Sequence, residues 1–183
     1  MTVPIALTIA GSDSSGGAGI QADLKTFAAL GVYGASVLTA LTAQNTQGVS
    51  GIHPVPADFV TAQIDAVFDD LDVRAVKIGM VAEVAVIDAI VVGLLRWSPA
   101  QVVLDPVMVA TSGDRLLAPD AVEALRHKLV PRAQLITPNL PEAAALLDER
   151  LAESESDIVG QGQRLLALGC AAVLIKGGHG QGA

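Results

Sequence analysis

The chain has 183 residues, of which 51% are hydrophobic and only 3% aromatic, and its net charge is −8. That length gives one domain with a sizeable core, and an acidic balance without any basic tract argues against nucleic-acid binding. The longest apolar run, Val84–Leu95, contains Asp88 and is too short to cross a bilayer, so no membrane segment is expected.

A core built from Ala, Val, Leu and Ile suits helices packed on a parallel sheet buried on both faces. The N-terminus runs into a strand without a basic leader, so no signal peptide is expected. Cys170 is the only cysteine, which excludes an internal disulfide and makes a cytoplasmic location the default. It sits in the apolar run GCAAVLI and reads as core.

Val3–Ala10 reads as the first strand. A turn of Gly and Ser follows and opens into a helix over Gly19–Leu30, with Ile20, Leu24 and Phe27 near one face. Gly31 stands where a C-terminal cap belongs. Ala35–Ala43 reads as the second strand, followed by a polar segment, Gln44–Gly48. Pro56 and Asp58 open a helix running to about Asp70. Val73–Ile78 is the third strand and ends in Gly79-Met80. Then come a helix over Val84–Trp97, a strand over Gln101–Leu104 ending at Asp105-Pro106, and a loop over Val107–Leu117 that carries Thr111, Ser112, Gly113 and Asp114. Pro119–Lys128 is a helix and Ala133–Ile136 a short strand ending in Thr137-Pro138-Asn139. Pro141 takes the N1 position of a helix to about Leu147. Glu149–Ser156 is an acidic linker, Asp157–Leu168 a helix, and Ala171–Ile175 a strand ending in Lys176-Gly177-Gly178.

This alternation of strand and helix with short connections predicts an α/β fold with a parallel sheet. Polar residues gather after the strands, at Gly11–Gly19, Gln44–Gly48, Asp105–Asp114, Asn139–Glu142 and Lys176–Gly180. The carboxyl ends of the strands hold the ligand crevice in open α/β sheets, so these clusters point to one site.

The turn at Gly11–Gly19 is longer than an ordinary strand-to-helix connection. It nearly fits the phosphate-loop pattern from Gly11 to Gly16, but Gly17 and Ala18 stand where a lysine and a hydroxyl are needed. Gly17–Ala22 fits the dinucleotide pattern GxGxxA, but its first glycine lies too far past the strand, and Gln44-Asn45 offers no acid for a ribose. What is left is a Gly/Ser loop with Asp23 one turn into its helix. Asp23 reads equally as a partner of the helix dipole and as an acceptor for a substrate hydroxyl.

Asp105 follows an apolar strand directly. Glu142 sits in the first turn of a helix, where capping is its ordinary role. Two acids at neighbouring strand ends could also hold magnesium, and Lys176 could neutralise a phosphate. Acids for a metal, a cation for a phosphate and a separate polar loop for an acceptor together suit phosphoryl transfer. Gln44 offers an amide donor and acceptor side by side, which suits the edge of an aminated heteroaromatic ring. Met80 and Val107 could supply apolar faces to such a ring. The histidines His53, His127 and His179 are scattered, with no metal triad and no nucleophile–base pair.

The segments AGSDSSGGAGIQADLKTF, LTAQNTQGV, KIGM, LDPVMVATSGDRLL, TPNLPEAAALL and LIKGGHG, in this order over nearly the whole chain, resemble the hydroxymethylpyrimidine/phosphomethylpyrimidine kinases of thiamine biosynthesis. The resemblance implies a ribokinase-like, three-layer α/β/α domain over residues 1–183 with a mostly parallel central sheet. It implies transfer of the γ-phosphate of ATP to 4-amino-5-hydroxymethyl-2-methylpyrimidine and then to its monophosphate, with Mg2+, in a homodimer. By the family pattern Gln44 reads the pyrimidine edge, and Gly11, Asp23, Met80 and Val107 line the acceptor pocket. Asp105 and Glu142 lie on the magnesium side, and Asn139 and Lys176 face the phosphates of ATP. Pyridoxal or pyridoxine kinase activity is the alternative within the fold, and a non-catalytic pyrimidine-binding module the alternative outside it. Members of the family carry a later Gly-rich turn that forms the anion hole. These 183 residues contain none, so the family's C-terminal part is expected to be missing, the catalytic residue is unassigned, and the chain alone is expected to be a poor kinase.

Overall fold

The computed structural model describes residues 3–108 and 117–177. Strand β1 (Ile5–Ala10) leads through the glycine turn into helix α1 (Gly19–Ala29) and strand β2 (Tyr33–Leu38). An antiparallel hairpin follows, β3 (Ala40–Asn45) and β4 (Gly48–Pro54). Next come α2 (Ala57–Asp70), β5 (Val73–Ile78), α3 (Val84–Trp97) and β6 (Gln101–Leu104). After α4 (Pro119–Ala124) the chain forms β7 (Leu135–Ile136), α5 (Leu140–Leu147), α6 (Glu155–Leu166) and β8 (Ala172–Val173).

The main sheet has six strands in the order β2-β1-β5-β6-β7-β8, all parallel. In-register residues Val37, Ile9, Ile78, Leu104 and Ile136 form one row across it. All five are almost completely buried, and each Ile or Leu fully removed from water contributes about 1.5–3 kcal/mol. This face packs against α2 through Val60 and Ile64, α3 through Ile87 and Ile90, α4 through Ala121, α5 through Leu146 and α6 through Leu165. The opposite face carries Thr8 and Lys77, both bonded to Asp23 of α1. Helices therefore cover one face of the parallel sheet from β2 to β8, while among the described residues the opposite face is covered by α1 alone, over β1 and β2.

The expected elements over Val73–Ile78, Val84–Trp97 and Gln101–Leu104 match β5, α3 and β6 residue for residue. The expected single strand over Ala35–Ala43 is corrected: the chain bends at Thr39 and divides it between two sheets. Thr39 donates its amide to Ala10 O and its hydroxyl to Met80 O, and it accepts from the Val55 amide. These bonds turn the chain off the main sheet where β1 ends. The polar segment Gln44–Gly48 is thus the tip of a hairpin.

The helix expected over Pro119–Lys128 is α-helical only to Ala124; residues Leu125–Leu129 widen into a π turn and Val130–Arg132 tighten into a 3-10 turn. Pro141 lies one residue later than expected, at N2, because Asn139 is the cap. The last helix starts at Glu155 rather than Asp157, since Ser154 and Asp157 form a capping box. Cys170 is buried, as expected. Thr111, Ser112, Gly113, Asp114 and His179 lie outside the described residues.

Candidate active site

The glycine turn is organised by one carboxylate. Asp13 is 2% exposed. Its Oδ1 accepts from the Ser15 amide and hydroxyl at 2.8 Å each, and its Oδ2 accepts from the amides of Gly17 and Ala18 at 2.9 and 2.8 Å. The Asp13 amide donates to Gln21 Oε1 at 2.8 Å, tying the turn to α1. Burial pushes the Asp13 carboxyl up, but the Ser15 hydroxyl and the Ser15, Ala18 and Gly17 amides outweigh it and hold it below its usual 3.8. In a phosphate loop such converging amides would cradle an anion. Here the protein's own carboxylate fills that nest. Gly19, at φ +55°, closes the turn where a Cβ would run into the Gly11 carbonyl.

With its amides turned inward on Asp13, the loop presents its other side to a cleft of about 320 Å³. Gly11, Asp23, Gln44, Met80 and Val107, the residues assigned above to the acceptor pocket, all line it. Asp105, assigned to the metal, lines it too. Each comes from a separate piece of chain. The ends of β1, β5 and β6 supply Gly11, Met80 and the Asp105–Val107 pair, while Asp23 comes from α1 and Gln44 from the hairpin. A side chain at Gly11 would collide with Met80, whose Cε lies 2.8 Å from the position of a Cβ. The hairpin is fastened to the turn by Thr42, whose hydroxyl donates to Ser12 O at 2.7 Å and whose amide donates to Ser12 Oγ at 3.1 Å. Ser14 donates its hydroxyl to Thr42 O, and Thr42 in turn reaches Gln44 Oε1 at 3.3 Å.

Asp23 is not in the first turn of α1, and no acid is. The helix-dipole reading is therefore replaced by a specific pairing. Its Oδ2 accepts from Lys77 Nζ at 2.9 Å and from Thr8 Oγ1 at 2.6 Å.

A second cluster lies at the neighbouring strand ends. Lys176 Nζ is 2.6 Å from Asp105 Oδ1 and 3.9 Å from Glu142 Oε2. Thr137 donates its hydroxyl to Asp105 Oδ1 at 3.0 Å. Asn139 and Glu142 form a reciprocal capping box, both bonds at 2.8 Å. Asn139 also bridges in parallel to Lys176, whose amide donates to Pro138 O. The capping role of Glu142 is real, and the same bonds fix its carboxylate beside Lys176. Burial raises the Glu142 carboxyl above its usual 4.5, against the opposing pull of the Asn139 amide and Lys176. Among the described residues no cluster of three or more His, Cys, Asp or Glu side chains could hold a metal, so any cation at Asp105 and Glu142 would complete its shell with other oxygens.

The structure therefore brings Asp105, Asn139, Glu142 and Lys176 into one group, separate from Gln44 and Gly11. Asp105 belongs to both groups. Sequence reasoning missed three members of this arrangement. Asp13 had a signal in Asp-Ser-Ser before a glycine pair, the pattern of a side chain folding back on its own turn. Lys77 had one as a charge inside the strand VRAVKI. Thr42 had none, because its place depends on the hairpin.

The family model of phosphomethylpyrimidine kinase matches residues 13–183. The chain is 59% identical over 174 residues to the hydroxymethylpyrimidine/phosphomethylpyrimidine kinase of Escherichia coli K12, which covers 95% of this chain and 65% of that protein. It spans about 65% of the length of such curated relatives. The crystal structure of phosphomethylpyrimidine kinase from Clostridium difficile 630 superposes with a TM-score of 0.92 at 50% identity, covering 98% of this chain and 78% of that one. The ADP complex of Bacillus subtilis pyridoxal kinase superposes with a TM-score of 0.88 at 39% identity, over 97% and 67% of the two chains. Motif order, fold and sequence identity agree, and the chain belongs to the phosphomethylpyrimidine kinase family.

Proposed function

We propose that this chain carries the acceptor pocket and the metal–phosphate residues of an ATP-dependent kinase that phosphorylates 4-amino-5-hydroxymethyl-2-methylpyrimidine and then its monophosphate. The observation that carries this reading is Asp105. It lines the cleft and also pairs with Lys176, so the charged cluster abuts the pocket where a transferred phosphate would have to arrive.

In the pocket, Gln44 would pair with the amino-bearing edge of the ring, Met80 and Val107 would hold its faces, and Asp23 would accept from the hydroxyl. Gly11 keeps the floor low enough for Met80 to reach the ring. On the donor side Asn139 and Lys176 would meet the phosphates of ATP. The carboxylates of Asp105 and Glu142 are hard oxygen donors of the kind magnesium takes, usually with several waters retained. When bound, that ion would neutralise phosphate charge, which is most of what phosphoryl transfer requires. The same reading carries a homodimer and a cytoplasmic location.

Calorimetric titration with the pyrimidine, with pyridoxine and with Mg-ATP tests it. The pyrimidine is expected to bind in preference to pyridoxine, and Gln44→Ala to weaken it about tenfold or more, the worth of a buried polar pair left unmade. Tighter binding of pyridoxine would move the chain to the other vitamin-kinase activity, which the pyridoxal kinase similarity makes the natural competitor. Affinity for the pyrimidine unchanged by Gln44→Ala would overturn the assignment.

A further inference from the structure

We infer that Lys77 is a positioning residue of the acceptor pocket: it holds Asp23 so that the remaining carboxylate oxygen meets the hydroxyl of the acceptor. The inference deepens the pyrimidine-kinase reading and rests on it.

Lys77 lines the same cleft as Asp23 and Asp105. It stands in β5, two residues before Gly79, so both residues point to the face that α1 covers. Its ammonium does not lie flat against the sheet. It extends along the strand towards the carboxyl end, until Nζ stands 2.8 Å from where a Cβ of residue 79 would be. That position would also be 3.0 Å from the Ala10 Cβ. Gly79 leaves this path clear, whereas a Cβ there would press on the flexible end of Lys77 and on Ala10.

At the end of that path Lys77 Nζ meets Asp23 Oδ2, where Thr8 Oγ1 also donates. Two donors converge on one oxygen of the carboxylate. The side chains of Lys77 and Asp23 are 24% and 17% exposed, so the pair is shielded yet open to the cleft. A carboxylate anchored through Oδ2 by donors from two different strands, β5 and β1, has its rotation fixed. Asp23 Oδ1 is then the oxygen left to a ligand. A carboxylate accepts more strongly than a neutral group, and it keeps its direction only while both anchors stay in place. In this arrangement Lys77 need not touch the acceptor.

The test compares the alcohol, 4-amino-5-hydroxymethyl-2-methylpyrimidine, with its 2,5-dimethyl analogue, which lacks the hydroxyl. The wild-type chain is expected to bind the alcohol about tenfold more tightly, the worth of one hydrogen bond to a charged group. Lys77→Met is expected to cut that preference to within about threefold while the affinity for the dimethyl compound hardly changes. A general loss of structure would lower both affinities together. Lys77→Arg, which keeps the charge, is expected to restore most of the preference. Lys77→Leu, which likewise cannot donate to Asp23, is expected to reproduce the Lys77→Met result even if that variant folds poorly. Full preference in either folded variant overturns the inference. So does a wild-type chain that binds both compounds equally, a result that removes the Asp23 contact but leaves the ring pocket at Gln44 standing. A wild-type chain that binds neither brings down the pocket reading itself and the inference with it.

Discussion

Asp13 is the residue on which the glycine turn depends, and its chemistry sets how the turn responds to pH. Its folded-state carboxyl lies below the usual 3.8, so its stabilising contribution is complete above that value and is lost as pH falls through the lowered one. Asp13→Asn replaces an acceptor by an amide that must point a donor at other donors. The expected cost is about 2 kcal/mol at neutral pH. In urea unfolding the gap between wild type and variant should begin to close as pH falls below 3.8; a gap that stays constant as pH falls until both proteins unfold would contradict the linkage. Glu142 behaves with the opposite sign. Its carboxyl is raised above the usual 4.5 by burial, so its contribution is complete below 4.5 and is lost as pH rises through the raised value. Glu142→Gln can still accept from the Asn139 amide without carrying the buried charge. Thermal melts should therefore show the variant matching or exceeding wild type at neutral pH, and wild type gaining on it in acid. A melting point several degrees lower for the variant at neutral pH would refute this.

At the scale of elements, packing between α2 and α3 is set by a glycine. A Cβ at Gly93 would stand 2.9 Å from Ile64 Cγ2, and Ile64 is itself 1% exposed in the core. Gly93→Ala gains about 1 kcal/mol of helix propensity but overpacks a site that cannot yield, at a typical cost of about 1–3 kcal/mol. A net loss of stability is expected in chemical denaturation, and a more stable variant would mean that the two helices can separate. The elements legible in sequence were those whose residues declare one environment. Strand VRAVKI and helix VAVIDAIVVGLLRW have unbroken patterns and clear ends, and both were placed correctly. The hairpin was not legible. Its second strand, GVSGIHP, has two glycines, a serine and a proline, all poor strand formers. It pairs because the bend at Thr39 and the bonds from Thr42 to Ser12 bring it beside the turn. The candidate site was legible where residues follow strands directly, as Gly11 and Asp105 do, or within three residues, as Met80 and Lys176 do. Lys77 was missed because its partner Asp23 becomes a neighbour only when α1 folds back on the sheet, and Asp13 because its acceptor role appears only when the turn closes and the Ser15, Gly17 and Ala18 amides converge on it.

At the scale of the molecule, the cleft lies where two separate sheets meet. One wall is the hairpin, through Thr42, Gln44 and Val49; the other is the end of the parallel sheet with the glycine turn and α1. The bonds joining the two walls run through Ser12, Ser14, Thr39 and Thr42. Outside these the hairpin is largely exposed, with Leu41 at 46% and Ile52 at 44%. It is thus the part of the site least supported by a core, and local opening free energies are smallest where buried contacts are few. A ring bound between the walls would tie the hairpin to the body, and only the closed arrangement can bind it. At a ligand concentration of one hundred times Kd, binding stabilises the competent state by about 2.7 kcal/mol, about a hundredfold in the opening equilibrium. Hydrogen exchange with and without the pyrimidine should therefore slow up to about a hundredfold at hairpin amides that exchange by this opening. The paired β7 and β8 amides, Leu135–Ile136 and Ala172–Val173, lie at the far side of the sheet and should be nearly unaffected. Protection spread evenly over both regions would mean that the ligand stabilises the chain as a whole, and that the hairpin is not a wall that closes on it.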